Sequence, residues 1–434
     1  MITVVIPTIG RDTLRATLAA LGPGVPVIVV DDRKAGAPGG EDVLGTGTTR
    51  DGGTHPKEHG VRHAAVPSLV LAAVPGAVAS AVPEPAAASL TLSDPGVDVG
   101  PGDHVRVVRS GGRGPAAARN AGWRAARTPW VVFLDDDVVP APGWAEAVLS
   151  DLADLPGDVA GSQGRIVVPR PAGRRPTDGE RHTAGLEGAE WVTADMAYRR
   201  AVLDALGGFD ERFPRAYRED ADFALRVSRA GHRLVKGTRV TTHPVRDDGF
   251  WASVRFQRGN ADDALMRRLH GPGWRAAVGG GRGRLRLHTA TTAAGLAALV
   301  LTAAAVLART AGPPAKGPAG RLAWWPGARP HGRSYGRPYG RPYGRLGGRH
   351  GARLGRRAGR LGGRFGAGVS QGGWRVLPVV AGAAWAALTA EFAWRRVVPG
   401  PRTPREVLRM VVTSVVIPPV ACAHRLRGEW RARR

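Results

Sequence analysis

The chain has 434 residues, room for two or three domains and at least one full hydrophobic core. Its 62 Gly and 35 Pro fall short of a collagen-like or wholly disordered composition, and its single cysteine, Cys422, excludes an internal disulfide and a Cys-based metal site. The formal net charge of +26 is uneven: residues 1–270 hold 33 basic and 33 acidic residues, whereas 271–434 hold 29 basic residues and only Glu391, Glu406 and Glu429.

The opening MITVVIPTIGRDTL has no basic leader or long apolar run, so it reads as the start of a strand rather than a signal peptide. Ile2–Ile6 is a β-branched apolar run ending at Pro7-Thr8, and Asp12–Leu21 carries apolar residues at helical spacing. Val27–Val30 is a second buried-strand pattern, ending at Asp31-Asp32. Short apolar strands alternating with helices predict a mainly parallel α/β sheet covered on both faces, with ligands at the carboxyl ends of its strands. Residues 33–102 interrupt the pattern with Gly, Pro, Ala, Asp and Thr and read as a low-complexity insertion.

The pattern resumes with a strand at His104–Val108, a helix at Pro115–Arg127 and a strand at Trp130–Leu134 that ends in Asp135-Asp136-Asp137. Trp144–Leu152 reads as a helix, Val159–Val168 contains a strand, and Arg199–Leu206 is a helix closed by Gly207-Gly208. Glu219–Ala230 is an amphipathic helix, and Leu234–Val240 is a last strand followed by His243.

Four features carry chemistry. Asp135 and Asp137, two apart at a strand end, suit Mg²⁺ or Mn²⁺ and, through the ion, a diphosphate. The bland alternative is an acidic loop before a helix. Asp31 and Asp32 either accept hydrogen bonds from a nucleobase or ribose or form a solvated turn. Glu219, Asp220 and Asp222 open a helix, where the dipole alone favours acids; the functional alternative is a general base. His243 is either a metal ligand or a structural histidine, and Arg119-Asn120 would pass as ordinary helix content.

Order adds what each piece lacks. A VVIPT strand, a DD strand end, AAARNAG, FLDDD, GGFDERF and REDADFALRVSRAG follow one another. Over residues 1–32 and 103–270 the chain resembles the bacterial family 2 glycosyltransferases, which have the GT-A fold. The resemblance implies that Asp31 or Asp32 binds the nucleobase and that Asp135 and Asp137 hold Mn²⁺ or Mg²⁺; Arg119, Asn120, Asp135 and Asp136 are the candidate donor-side residues, and His243 stays a candidate further metal ligand on its own position. It implies Asp220 as catalytic base, within the Glu219-Asp220 pair, with Asp222 in reserve. Trp191–Asp195 would lie near the donor sugar and Gly207–Asp210 on the acceptor side. The implied reaction is an inverting transfer from a nucleotide-sugar donor to a glycan or lipid-linked acceptor. The Gln-x-x-Arg-Trp motif of processive members is missing, the nearest text being Gln257-Arg258-Gly259-Asn260, so transfer of one or a few sugars is expected.

The basic part, 271–434, contains an uncharged stretch at Ala290–Ala308, apolar stretches at Val376–Ala390 and Val407–Ala423, and an Arg/Gly-rich linker at 319–372. This pattern predicts attachment to an anionic membrane surface, with the catalytic part on the cytoplasmic side. Arg409 and Pro418-Pro419 favour an interfacial or re-entrant third stretch over a spanning one. Arg-Gly repeats with Tyr335, Tyr339 and Tyr343 resemble disordered RNA-binding segments, but nucleic acid is not the expected partner beside three apolar stretches. A metal-dependent nucleotidyltransferase is the rival enzyme class, and an inactive sugar-nucleotide sensor a further alternative.

Overall fold

A computed structural model describes residues 1–34, 104–310 and 373–433; the insertion at 33–102, but for its first two residues, and the linker at 319–372 lie outside the described residues. The described residues fall into two compact units. The first is built on an eight-stranded sheet of β1 (Ile2–Thr8), β2 (Val27–Asp31), β3 (Val105–Arg109), β4 (Trp130–Leu134), β5 (Val139–Pro140), β6 (Val159–Val167), β7 (Asp195–Arg199) and β8 (Arg233–Thr242). Their order is β3-β2-β1-β4-β7-β6-β8-β5. The β1–β2, β2–β3, β1–β4 and β6–β8 pairs are parallel, while β4–β7, β6–β7 and β5–β8 are antiparallel, so the sheet is mixed.

The apolar runs become central strands because both their faces are covered. Ile2, Val4 and Ile6 of β1 and Val132 and Leu134 of β4 enter a core with Leu14 and Leu21 of α1 (Thr13–Leu21). Trp144, Val148 and Leu152 of α3 (Trp144–Leu152) join the same core. The alternate residues, Val5, Val131 and Phe133, face a second core with Ala116, Ala118 and Trp123 of α2 (Pro115–Ala125). The short α4 (Asp178–Ala184) starts with a capping box in which Thr177 and Glu180 satisfy each other's backbone N–H groups. After β7, α5 (Arg200–Ala205) ends in the Gly207-Gly208 turn, and α6 (Glu219–Arg229) adds Phe223 and Val227 to the second core.

This first unit takes in residues 1–249, 261–282 and 428–434, so it runs past position 270. Met266, Trp274 and Val278 explain the extension, because they bury themselves against Phe213, Ala221 and Leu225. The second unit, residues 250–260 and 283–427, contains the helices Leu285–Thr310 and Gly373–Val397 and most of Pro404–Arg433. All three are long and apolar enough to cross a membrane, by length and composition. Pro378 and the Pro418-Pro419 pair, which punctuate the sequence, lie inside continuous helices. The first two of these helices pack closely: a Cβ at Gly295 would stand 2.9 Å from Trp385.

Candidate active site

The parallel pairing brings the carboxyl ends of β1, β2 and β4 to one edge, with Thr8 opposite Asp31 and Asp135 following Leu134. Three consecutive acids leave β4 there, and each meets different neighbours. Asp136 is buried and accepts from Thr8 Oγ1 at 2.6 Å and Arg11 Nη1 at 2.6 Å, which ties the ends of β1 and β4 together. Asp135 is partly exposed and accepts from Arg119 Nη2 at 2.9 Å. Asp137 is paired with Arg246 at 2.8 Å and Arg11 at 3.4 Å, and its other oxygen lies 3.6 Å from His243 Nε2. Burial, with the charge of Asp135 added, pushes the Asp137 carboxyl up against the pull of His243, Arg246 and Arg11.

His243 closes the far side of this group. Its Nδ1 lies 3.0 Å from the Pro244 carbonyl, which can only accept, so the neutral ring carries its proton on Nδ1. Nε2 is then left facing Asp137. Two carboxylates and an imidazole nitrogen are a donor set that suits a divalent cation completed by phosphate oxygens and water. Among the described residues, no three His, Cys, Asp or Glu side chains are grouped so that they could hold a metal ion by themselves. Mg²⁺ in particular is ordinarily held by only one or two carboxylates.

Arg119 connects this end of the site to α6. Its side chain is fully buried, with Nη1 2.6 Å from Glu219 Oε1 and Nη2 on Asp135. Glu219 Oε2 and Arg119 Nε are buried without hydrogen-bond partners. Burial pushes the Glu219 carboxyl up to about 8, against the pull of Arg119 and with Asp220 adding to the rise. Asp220, half-buried, accepts the Ala221 N–H at 2.7 Å, and among the described residues no side chain hydrogen-bonds to it. Burial raises its carboxyl too, while that N–H, Arg119 and Arg218 pull it down. Asp220 is therefore a carboxylate held in place but not consumed.

The remaining predicted residues are spoken for by the framework. Asp222 is buried, with Oδ2 2.9 Å from Arg226 Nε and Oδ1 2.7 Å from His270 Nε2. Arg229 donates to His270 Nδ1 at 2.6 Å, so the ring donates from Nε2 to Asp222. Asn120 donates to the Phe209 carbonyl and Glu211 and accepts from Phe209 N and Trp123 Nε1, which uses all of its hydrogen-bonding capacity. It shapes the Gly207–Phe209 turn, where Gly208 has φ +73° and no room for a Cβ beside Asn120 and Trp123. Asp31 is gripped by Arg33 through Nε and Nη2, each at 2.9 Å, and Asp32 accepts from Ser110 Oγ at 2.6 Å and Gly114 N at 2.8 Å. Asp195, expected near the sugar, is fully buried: it pairs with Arg239 at 2.7 Å and accepts from Trp144 and Thr241. Trp191 stands beside it in sequence with a left-handed backbone, φ 63°, and Lys236 Nζ 4.7 Å from the centre of its ring.

Sequence reasoning missed Arg11 and Arg246, and gave Arg218, beside Glu219-Asp220, no role. The first two carried a weak signal, following β1 by three residues and His243 by three. Arg218 has φ 82°, immediately before Glu219-Asp220, and stacks on Tyr217 and Trp274 at 4.3 and 4.8 Å.

Residues 98–221 match the model of glycosyl transferase family 2, and they contain Arg119, Asp135, Asp137, Glu219 and Asp220. That match, together with the relatives below, supports a family 2 glycosyltransferase. The chain is 36% identical over 133 residues to the pre-mycofactocin glycosyltransferase of Mycobacterium tuberculosis, in strains CDC 1551 / Oshkosh and ATCC 25618 / H37Rv. That similarity spans 28% of this chain and 28% of the length of those relatives. Among solved structures, S. aureus TarS (residues 1–349) in complex with UDP-GlcNAc is similar over 61% of this chain and 65% of that one, at 13% identity and a TM-score of 0.31. Glucosyl-3-phosphoglycerate synthase from Mycobacterium tuberculosis, in complex with Mn²⁺, UDP and phosphoglyceric acid, is similar over 63% and 79%, at 14% identity and a TM-score of 0.33.

Proposed function

We propose that this chain is an inverting glycosyltransferase of GT-A type, moving a sugar from a nucleotide-sugar donor to a hydroxyl of a glycan or lipid-linked acceptor. The observation that carries the proposal is the bridge made by Arg119. One buried guanidinium holds Asp135 on the cation side and Glu219 beside Asp220 on the base side. Two chemically distinct ends of one reaction are thereby fixed to a common support.

Asp135 and Asp137 would hold Mg²⁺ or Mn²⁺, with His243 Nε2 beside them. The bound ion would neutralise charge growing on the departing nucleoside diphosphate. Arg11 and Arg246 bring two further positive charges to the same end. At the other end Asp220 accepts the proton of the acceptor hydroxyl. The hydroxyl oxygen bonds to the anomeric carbon as the bond from that carbon to the diphosphate breaks, with inversion. The hydroxyl becomes acidic only as its new bond forms, so a carboxylate suffices as base. Asp31 and Asp32, at the end of β2, would border the nucleobase through the framework they fix. The three long apolar helices, by length and composition, fit a location at the cell membrane; the catalytic unit would lie on the cytoplasmic side.

Membranes containing the protein, given a panel of nucleotide sugars with and without Mn²⁺ or Mg²⁺, should release nucleoside diphosphate from one donor. Release should require the cation and be lost in Asp137→Ala. Failure of every donor both to react and to bind would overturn the proposal.

A further inference from the structure

The helix Pro404–Arg433 wears apolar side chains on its outside. Leu408, Val411, Val415, Leu426 and Trp430 are all exposed. Their three- and four-residue steps, continued through exposed Pro419, set them along one side of the helix, where half-buried Cys422 lies against Thr289 and Thr292 of the first apolar helix. The opposite face is buried and mixed in character: Glu406, Met410, Thr413, Ser414, Ile417 and Ala421. A surface helix of a water-soluble protein has the reverse arrangement. Exposed arginines stand at both ends of the stripe, Arg402 and Arg405 before it and Arg427, Arg431 and Arg433 towards its end.

Two anchors fix how this helix runs. Near its start, Arg409 Nε donates to the Phe250 carbonyl at 3.1 Å. Near its end, a Cβ at Gly428 would stand 2.5 Å from the Ala261 carbonyl oxygen, so the two backbones touch. From Arg409 to Gly428 the helix is about 28 Å long at a rise of about 1.5 Å per residue. That nearly equals a hydrocarbon core of about 30 Å. If the helix crossed the bilayer, Phe250–Ala261, which touches both anchors, would have to cross beside it. That segment carries Arg255, Gln257, Arg258 and Asn260 and cannot.

We propose that Pro404–Arg433 lies in the plane of an anionic bilayer surface, its Leu408–Trp430 stripe in the headgroup–acyl boundary and its flanking arginines on lipid phosphates, without crossing the membrane. The inference rests on the membrane location proposed above. Lipid suits the surface because it offers apolar chains to the stripe and negative charge to the arginines together. Among the described residues, Leu285–Thr310 and Gly373–Val397 would then be the crossing helices. A hairpin of two crossings returns the chain to the face it left, the face on which the third helix lies.

The full-length chain provides the test, in a Cys422→Ser background that removes its one thiol. Arg405→Cys and Arg431→Cys, in sealed membrane vesicles, should react with an impermeant maleimide from the same face. A fluorophore on Val415→Cys, in vesicles rich in phosphatidylglycerol, should be quenched more by a headgroup-attached quencher than by one at the acyl-chain end. Leu299→Cys, on the first apolar helix, should show the opposite order. Labelling of Arg405→Cys and Arg431→Cys from opposite faces, or deep quenching at Val415→Cys, overturns the inference and leaves the membrane location standing. No quenching at Leu299→Cys or Val415→Cys overturns both.

Discussion

Two sets of consecutive acids leave the same edge of the sheet and meet opposite fates. At the end of β2, Asp31 has a whole guanidinium from Arg33 and Asp32 has a hydroxyl and a backbone N–H. Burial would raise the Asp31 carboxyl, but the hydrogen bonds and charge of Arg33 hold it below its ordinary value. At the end of β4 donors are shared: Arg11 serves Asp136 and Asp137, and Arg119 serves Asp135 together with Glu219 of α6. There the Asp137 and Asp220 carboxyls are raised instead. Negative charge that is balanced locally builds framework. Negative charge left in excess is available to a cation or a proton.

Substitutions can break this contrast. The largest loss is expected from Asp220→Asn, roughly 10²- to 10⁴-fold in kcat with donor binding retained; near-normal turnover would remove Asp220 as the base. Arg119→Met should cost about 1–3 kcal/mol of stability, since it leaves the buried Glu219 carboxyl without its hydrogen-bond partner. Chemical denaturation would expose the error if the loss were only that of a surface ion pair. For Asp137→Asn the loss is expected in cation-dependent donor turnover, on the order of 10²-fold, with the melting temperature little changed. Asp222→Asn should behave oppositely: about 1–3 kcal/mol less stable from the broken His270–Asp222–Arg226 network, with most activity retained in the folded fraction. Equal damage to stability by Asp220→Asn and Asp222→Asn would erase the distinction between them.

The smallest effect concerns pH. The base works ionised, so the rate falls as pH drops through its pKa in the folded protein. Because burial raises the Asp220 carboxyl, the acid limb of the kcat/KM profile should lie above the range of an exposed aspartate. An acid limb at the position of a free aspartate would indicate a different base.

Much of this was legible in the sequence, for identifiable reasons. β1, β2 and β4 are continuous apolar runs because they are buried on both faces, and α2, α3 and α6 announce themselves by periodicity. β7, Asp-Met-Ala-Tyr-Arg, gives no such signal, since its first residue is a buried aspartate neutralised by Arg239 from β8. The carboxylates of the site were visible as residues but not as roles. Asp220 and Asp222 are both acids in a first turn, and only the fold brings His270 and Arg226 to one of them. Pro418 and Pro419 mark breaks by local rules, yet the helix continues through them.

The left-handed backbone of Arg218 reaches furthest. A non-glycine residue in this conformation is held at a cost of roughly 1–2 kcal/mol. Here it is clamped by Asp263, whose carboxylate accepts from Nε at 3.0 Å, and by the rings of Tyr217 and Trp274. Asp263 and Trp274 both follow the 98–221 segment that carries the carboxylates. The direction in which Asp220 points is thus set from downstream. A chain trimmed just after Arg246 would keep every residue assigned to the chemistry and lose the aim of its base.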